Sequence, residues 1–477
     1  MSTVIGVDSS TQSCKVLTVD AESGTILDSA TASHPEGTAV DPGAWTTALR
    51  QAWHDAGIAD DGSVAGVSVA GQQHGMVALD EQNRPVHDAL LWNDTRSAPE
   101  AAELHRELGS QAWIDAVNVV PVASFTLTKL AWLARHRPEL ADRVRRVVLP
   151  HDWLNYQLTG EFFTDRSDAS GTCYYSPVTN EYRPDLLERF FGTVPRLPAV
   201  VGSGEAGGSL LSQWSAASAA GTGPSGNRTV VGAGAGDNAG AALGLGLSEG
   251  EVAVSVGTSG TVFVSAAQPV SDPSGAVAGF ADATGQHLPL LAMINSARVL
   301  TATAGMLGTG LQELDRLALD APLDAEGLTL LPYLDGERTP NLPEATGTLT
   351  GMRRTNMTDS NLARAGVLGV LNSLADALDL LAGHGVPVRK VLLIGGGAKS
   401  QALQQAAADV LRVPVEVPVS GEYVARGAAR QAAWAATGQL PQWERRIEAS
   451  FEPDADSGWA DEVRDRYVAA RRQVYGV

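Results

Sequence analysis

Two stretches of this chain are written to one local plan, one at the start and one near the middle. Residues 4–20 read VIGVD, then SSTQSC, then KVLTVD, and residues 251–266 read EVAVSV, then GTSG, then TVFVSA. In both, β-branched residues alternate on either side of a loop of small Ser, Thr and Gly residues, which is the pattern of two strands joined by a tight turn. Each unit opens one half of a 477-residue chain, and that length exceeds what a single hydrophobic core supports. The recurrence points to an internal duplication, with a domain in residues 1–245 and another in 246–477. Coincidence between two ordinary hairpins is the alternative the hairpins alone leave open.

The segments between them alternate in type. Residues 63–69 are strand-like and run into Gly71-Gln72-Gln73-His74-Gly75; residues 89–92 form a short apolar run ending at Asn93-Asp94. Helical spacing covers 128–137, the stretch after Pro184, 361–381 and 400–411, while 391–394 reads as a buried strand and 328–334 as strand or loop. A charged amphipathic helix closes the chain from 456 to 477. Strands alternating with helices predict α/β layers.

Composition narrows the function classes. A net charge of −20, with no run of Lys or Arg, argues against nucleic acid or an anionic membrane as partner. It does not argue against phosphate, because backbone amides and a metal ion neutralise phosphate locally. The two cysteines, Cys14 and Cys173, supply neither a disulfide framework nor a metal cluster. No leader-like segment precedes the first strand, and Asp237 interrupts the longest Ala/Gly/Leu stretch. The expectation is a cytoplasmic protein without a membrane span.

Glycine-rich turns carry the chemistry. Phosphate binding needs backbone N–H groups unobstructed by side chains, and Gly257-Thr258-Ser259-Gly260 places hydroxyls beside glycines at a strand–strand turn. The loop after Asp8 matches it, and the Asp8 carboxylate is suited to hold magnesium through water or, more plainly, to cap the loop. Residues 202–207 spell G-x-G-x-x-G, but prolines flank the short strand before them, so a loop is expected. Residues 395–400 depart from a P-loop at Ala398. Their triple glycine suits either close approach of adenine or helix–strand packing. In VVGAGAGDNAGAALGLG, residues 230–246, a single Asp237-Asn238 pair is set among glycines and alanines. An acid there is costly without a task or partner; it can accept a hydroxyl proton, cap the following helix, or do both.

Taken together these segments resemble the FGGY carbohydrate kinase family, and within it the xylulokinase branch. The resemblance runs in order through GVDSSTQSCKV, AGQQHG, LLWNDTR, LPHDWLNYQLTGEFFTDRSDASGT, GAGDNAGAALGLG, SVGTSG, LPYLDGERTP and LIGGGAKS. It implies an α/β fold of two ribonuclease-H-like, actin/hexokinase-like ATPase domains with an intervening cleft. It implies ATP-dependent phosphorylation of D-xylulose to D-xylulose 5-phosphate, with ATP and Mg2+ required. Another ketose or polyol as acceptor (ribulose, gluconate, glycerol), or a catalytically inactive sugar sensor, is the alternative. Asp237 would be the base and Asp8 would help place the metal. Nucleotide contacts would come from Ser10, Thr11, Gln12 and Ser13, from Gly257, Thr258, Ser259 and Gly260, and from Gly395, Gly396, Gly397 and Ala398. The sugar would meet Gln73, His74, Asp237 and Asn238, with Trp92 and Asp94 nearby. Two departures from the family pattern stand out: Gln73 replaces a methionine common before the histidine, and Ser10 replaces a glycine of the first loop. Partners are then sugar and ATP alone; whether the chain forms a homodimer the sequence leaves open.

Overall fold

The computed structural model describes residues 2–58, 63–214 and 229–477. These gather into two compact units, one formed by Met1–Gly246, Ala267–Leu288 and Glu422–Glu444, the other by Leu247–Ala266, Pro289–Gly421 and Arg445–Val477. The first segment of the first unit ends at Gly246. Two later segments nevertheless belong to the first unit, which a division into 1–245 and 246–477 does not anticipate.

In the first unit the strands are β1 (Thr3–Ser9), β2 (Ser13–Asp20), β3 (Ile26–Ser33), β4 (Val64–Gly71), β5 (Ala206–Ser209), β6 (Val230–Gly232) and β7 (Ala235–Gly236). Their order is β5-β6-β4-β1-β2-β3, with β7 also beside β4. The β1–β2 and β2–β3 pairs are antiparallel, whereas β1, β6 and β7 each run parallel to β4. Val4, Ile5, Val7, Val67 and Val69 are wholly buried, as central strands covered on both faces require.

The second unit repeats this plan. Its strands are β8 (Glu251–Val256), β9 (Gly260–Val264), β10 (His287–Met293), β11 (Lys390–Ile394), β12 (Val415–Pro418) and β13 (Ile447–Phe451). These six, in the order β13-β12-β11-β8-β9-β10, match the six-strand path of the first sheet. The senses of the five pairings match as well. Two hairpins alike by chance would not carry four further strands into the same positions, so the duplication is real.

Helix Tyr423–Thr437 shows why a late segment joins the first unit. Its residues Ala425, Ala428, Ala429, Ala432 and Ala433 are buried, and it lies against helix Asp237–Leu245 and β1. The approach is so close that a Cβ on Gly427 would stand 1.9 Å from the Gly240 carbonyl oxygen. Only small residues allow two backbones to meet like this.

Helix Asp359–Gly383 is long and apolar enough to cross a membrane by length and composition alone. Seventeen of its residues, from Asn361 to Leu381, are buried inside the second unit, so core packing accounts for its apolar surface. Residues 202–207 form no dinucleotide turn: strands Ala199–Val201 and Ala206–Ser209 flank them and no helix follows directly.

Candidate active site

The site in the first unit is built where parallel strands end. Ser9 of β1 lies opposite Gly71 of β4, and Gly71 lies opposite Gly236 of β7. Asp8, the Gln72–His74 loop and Asp237 therefore leave the sheet at one edge, the carboxyl end at which open α/β sheets bind ligands.

Asp237 is the first residue of its helix, and Gly236 occupies the N-cap position; the capping role open to it from sequence is not the one it takes. One carboxylate oxygen, Oδ1, accepts from the Asn238 backbone N–H at 2.7 Å and from Asn238 Nδ2 at 2.8 Å. The other, Oδ2, takes neither of these two bonds. Burial, and after it the nearby negative charge of Asp8, pushes the Asp237 carboxyl up from 3.8 to about 7. Asp8 is pushed up to about 6 by burial, against the opposing pull of the Ser10 hydroxyl and Lys15.

Around them the loops interlock. The Ser10 hydroxyl donates to Asp8, so the serine in place of glycine turns its side chain toward the acid. Trp92 Nε1 donates to Thr11 Oγ1 at 2.8 Å, the His34 ring meets the Ser10 carbonyl at 2.9 Å, and Gln72 N–H donates to the Ser9 carbonyl at 3.0 Å. Gln12 is exposed, and Ser13 begins β2. Gln73 is buried and its amide donates to the Ser167 carbonyl at 3.2 Å. His74, at φ 70°, donates from Nδ1 to the Gly171 carbonyl at 2.9 Å and packs on Phe125 and Phe280. Trp92 is 38% exposed and lies beside the first loop. Asp94 differs: Thr38 holds one oxygen at 2.7 Å and Arg96 the other at 2.8 Å. Burial raises its carboxyl, but those partners outweigh it and hold the acid below the usual range. Its oxygens are committed to the fold.

In the second unit the arrangement is parallel. Ser255 of β8 pairs with Ile394 of β11, so the turn Gly257–Gly260 and the run Gly395–Ala398 emerge side by side. Thr258 and Ser259 are exposed, as are Gly395 and Gly396. Arg298 donates to the Thr258 carbonyl at 3.2 Å and pairs with Asp335 at 2.8 Å. Gly395 has φ 91°, and a Cβ there would lie 2.8 Å from the Val256 carbonyl. Packing against β8 thus explains that first glycine, and Gly396, with open space around it, is the one free to face a ligand.

Sequence reasoning assigned no role to residues 151–171, yet the structure links them to the site. His151, Asp152, Asp165, Ser167 and Asp168 are all buried. Nothing in the local spacing of this mixed polar and apolar stretch signals that they converge.

Residues 3–244 match the profile of the FGGY family of carbohydrate kinases, N-terminal domain, and residues 252–436 that of the C-terminal domain. The chain is 46% identical to a xylulose kinase from Streptomyces coelicolor, covering 91% of this chain and 88% of that one. It is 43% identical to the Streptomyces rubiginosus xylulose kinase over 92% and 90%. The crystal structure of xylulose kinase from Bifidobacterium adolescentis superposes with a TM-score of 0.90 at 42% identity, covering 98% of this chain and 99% of that one.

Proposed function

We propose, because this chain belongs to the FGGY family of carbohydrate kinases, that it transfers the γ-phosphoryl group of ATP to the 5-hydroxyl of D-xylulose. The observation that carries the choice of sugar is the 46% identity to a xylulose kinase across nine-tenths of the chain. The geometry supports the reaction class independently. Both Asn238 bonds fall on Asp237 Oδ1 and leave Oδ2 clear of that side chain, and a base with a pKa near 7 is matched to proton abstraction at neutral pH.

In this reading the Asp237 oxygen accepts the proton of the sugar hydroxyl as its oxygen bonds to the γ-phosphorus. The bond from that phosphorus to the bridging oxygen breaks, and ADP leaves. Asn238 fixes the rotamer of the base, His74, Gln73 and the Trp92 ring orient the sugar, and Asp94 acts by holding Arg96. Residues 9–13 and Gly257–Gly260 offer amides and hydroxyls to the phosphates, and Gly396 and its neighbours lie against the adenosine. Positioning and charge neutralisation supply most of the acceleration in phosphoryl transfer.

Magnesium fits this donor set. Two carboxylates in a buried setting, Asp8 and Asp237, raise the cost of their own charge, and hard oxygen ligands are those Mg2+ selects. Asp8 would hold the ion, which would offset the negative charge of the ATP phosphates. A cytoplasmic enzyme acting on two small molecules is the setting proposed.

ADP release coupled to a chromogenic reaction, measured over D-xylulose, D-ribulose, gluconate and glycerol, tests the reading. The expected result is the highest kcat/KM for D-xylulose. A better acceptor among the others refutes the sugar; no sugar-dependent release refutes the kinase.

A further inference from the structure

The feature left unexplained by this reaction is the charged cluster behind the base. His151 has no exposure; its Nδ1 lies 3.0 Å from Asp168 Oδ2 and 3.0 Å from Asp152 Oδ1. Its Nε2 lies 3.1 Å from the Ala233 carbonyl oxygen. A carbonyl only accepts, so Nε2 carries a hydrogen, and Nδ1 faces two carboxylates. Burial opposes charge on the ring, but the two acids outweigh it and hold the imidazole well above its ordinary value. Nε2 thus donates to the turn, and Nδ1 shares a proton with the acids it faces. Burying such a set is costly, and apolar residues of equal volume would fold at least as well.

Where its hydrogen bonds end is informative. Ala233 belongs to the turn between β6 and β7 that leads into Asp237. Within that turn Gly234 is at φ 88°, and a Cβ on it would sit 2.2 Å from His151 Nε2; the ring and the turn fit with no room for a side chain. Asp168 belongs to the single helical turn Arg166–Ala169, whose Ser167 hydroxyl accepts from the Gly236 N–H at 3.0 Å and donates to Asp165 at 2.6 Å. Asp165 is itself held by the backbone N–H groups of Ser167 and Asp168 at 2.6 Å and 3.0 Å. The same short segment receives the Gln73 amide on the Ser167 carbonyl and the His74 ring on Gly171.

We propose that Ser167 and His151 are positioning residues for the base: they hold the Gly236 N–H and the Ala233 carbonyl, the two peptide groups that aim the residue following them, Asp237. The proposal rests on the assignment of Asp237 as base. A turn of glycines and alanines has little side-chain packing of its own to hold one conformation, and a displacement of about 1 Å at a reacting group costs on the order of 10²-fold in rate. Fixed hydrogen bonds from a rigid, buried frame supply the missing constraint.

The test compares Ser167→Ala, Ser167→Thr, His151→Gln and Asp237→Asn in the full-length protein. Removing only the Ser167 hydroxyl leaves Asp165 capped by backbone amides, so that variant tests positioning even where His151→Gln fails to fold. Ser167→Ala is expected to lower kcat about 10–100-fold, with KM for ATP and the melting midpoint near those of the parent. Ser167→Thr, which keeps a hydroxyl, is expected to recover most of the rate. Unchanged kcat in Ser167→Ala, a threonine variant no better than alanine, or a loss that merely follows the folded fraction each overturns the proposal. If Asp237→Asn retains turnover, the base assignment falls first. If Asp237→Asn is inactive and Ser167→Ala is normal, the base stands and the positioning role falls.

Discussion

Replacing Asp237 by Asn should make the protein slower and, at alkaline pH, more stable. The folded carboxyl titrates at about 7 against 3.8 for an unburied aspartate, so the native fold binds that proton more tightly than the unfolded chain does. A raised carboxyl pKa contributes stability that is fully present below 3.8 and lost as pH rises through about 7. At pH 8 nearly the whole shift of about 3 units is unfavourable to the fold, roughly 4 kcal/mol at 1.36 kcal/mol per unit. Asp237 keeps partial solvent access, and screening reduces this to on the order of 2 kcal/mol. At pH 5 only about two-fifths of the penalty applies. Asparagine is neutral and keeps an oxygen for the Asn238 N–H, so it escapes the cost at every pH. Thermal melts of the ligand-free proteins at pH 5 and pH 8 are the assay, with ADP release measured alongside. The variant is expected to melt a few degrees above the parent at pH 8, with a smaller gap at pH 5, and to lose about 10²–10⁴-fold in kcat. A melting difference independent of pH, or turnover within a few-fold of the parent, refutes the reasoning.

Three further outcomes are expected. Gly427→Ala, which puts a Cβ 1.9 Å from the Gly240 carbonyl oxygen, should cost about 3 kcal/mol or more in urea unfolding; a parent-like midpoint would show that the two helices are not tightly apposed. Glu337→Gln should cost about 2–3 kcal/mol, because the buried carboxylate accepts from the Ile294 N–H at 2.7 Å and from Asn295 Nδ2 at 3.0 Å; denaturant unfolding measures it. Cys14 and Cys173 are fully buried and burial pushes both thiols up, so a thiol reagent should label neither before denaturation; fast native labelling would contradict their burial.

What could be read along the chain was whatever short range controls. The alternation of β-branched residues around SSTQSC and GTSG specified two hairpins, and both formed, because strand–turn–strand pairing is set by neighbours a few residues apart. The spacing of apolar residues located helix Asp359–Gly383 and strand Lys390–Ile394 to within a residue or two at each end. A lone acid among glycines marked Asp237 as costly, and burial beside Asp8 raises its carboxyl. Only the tertiary structure decided which groups share a partner. It gave Asp94 to Arg96 and Thr38, turned the Ser10 hydroxyl onto Asp8, and returned residues 422–444 to the first unit. It also drew His151, Ser167 and Asp168 to the turn before Asp237, residues separated from it by dozens of positions. Hydrogen-bond partners and close backbone contacts are chosen by which surfaces the sheets bring together, and no local pattern of residues encodes that.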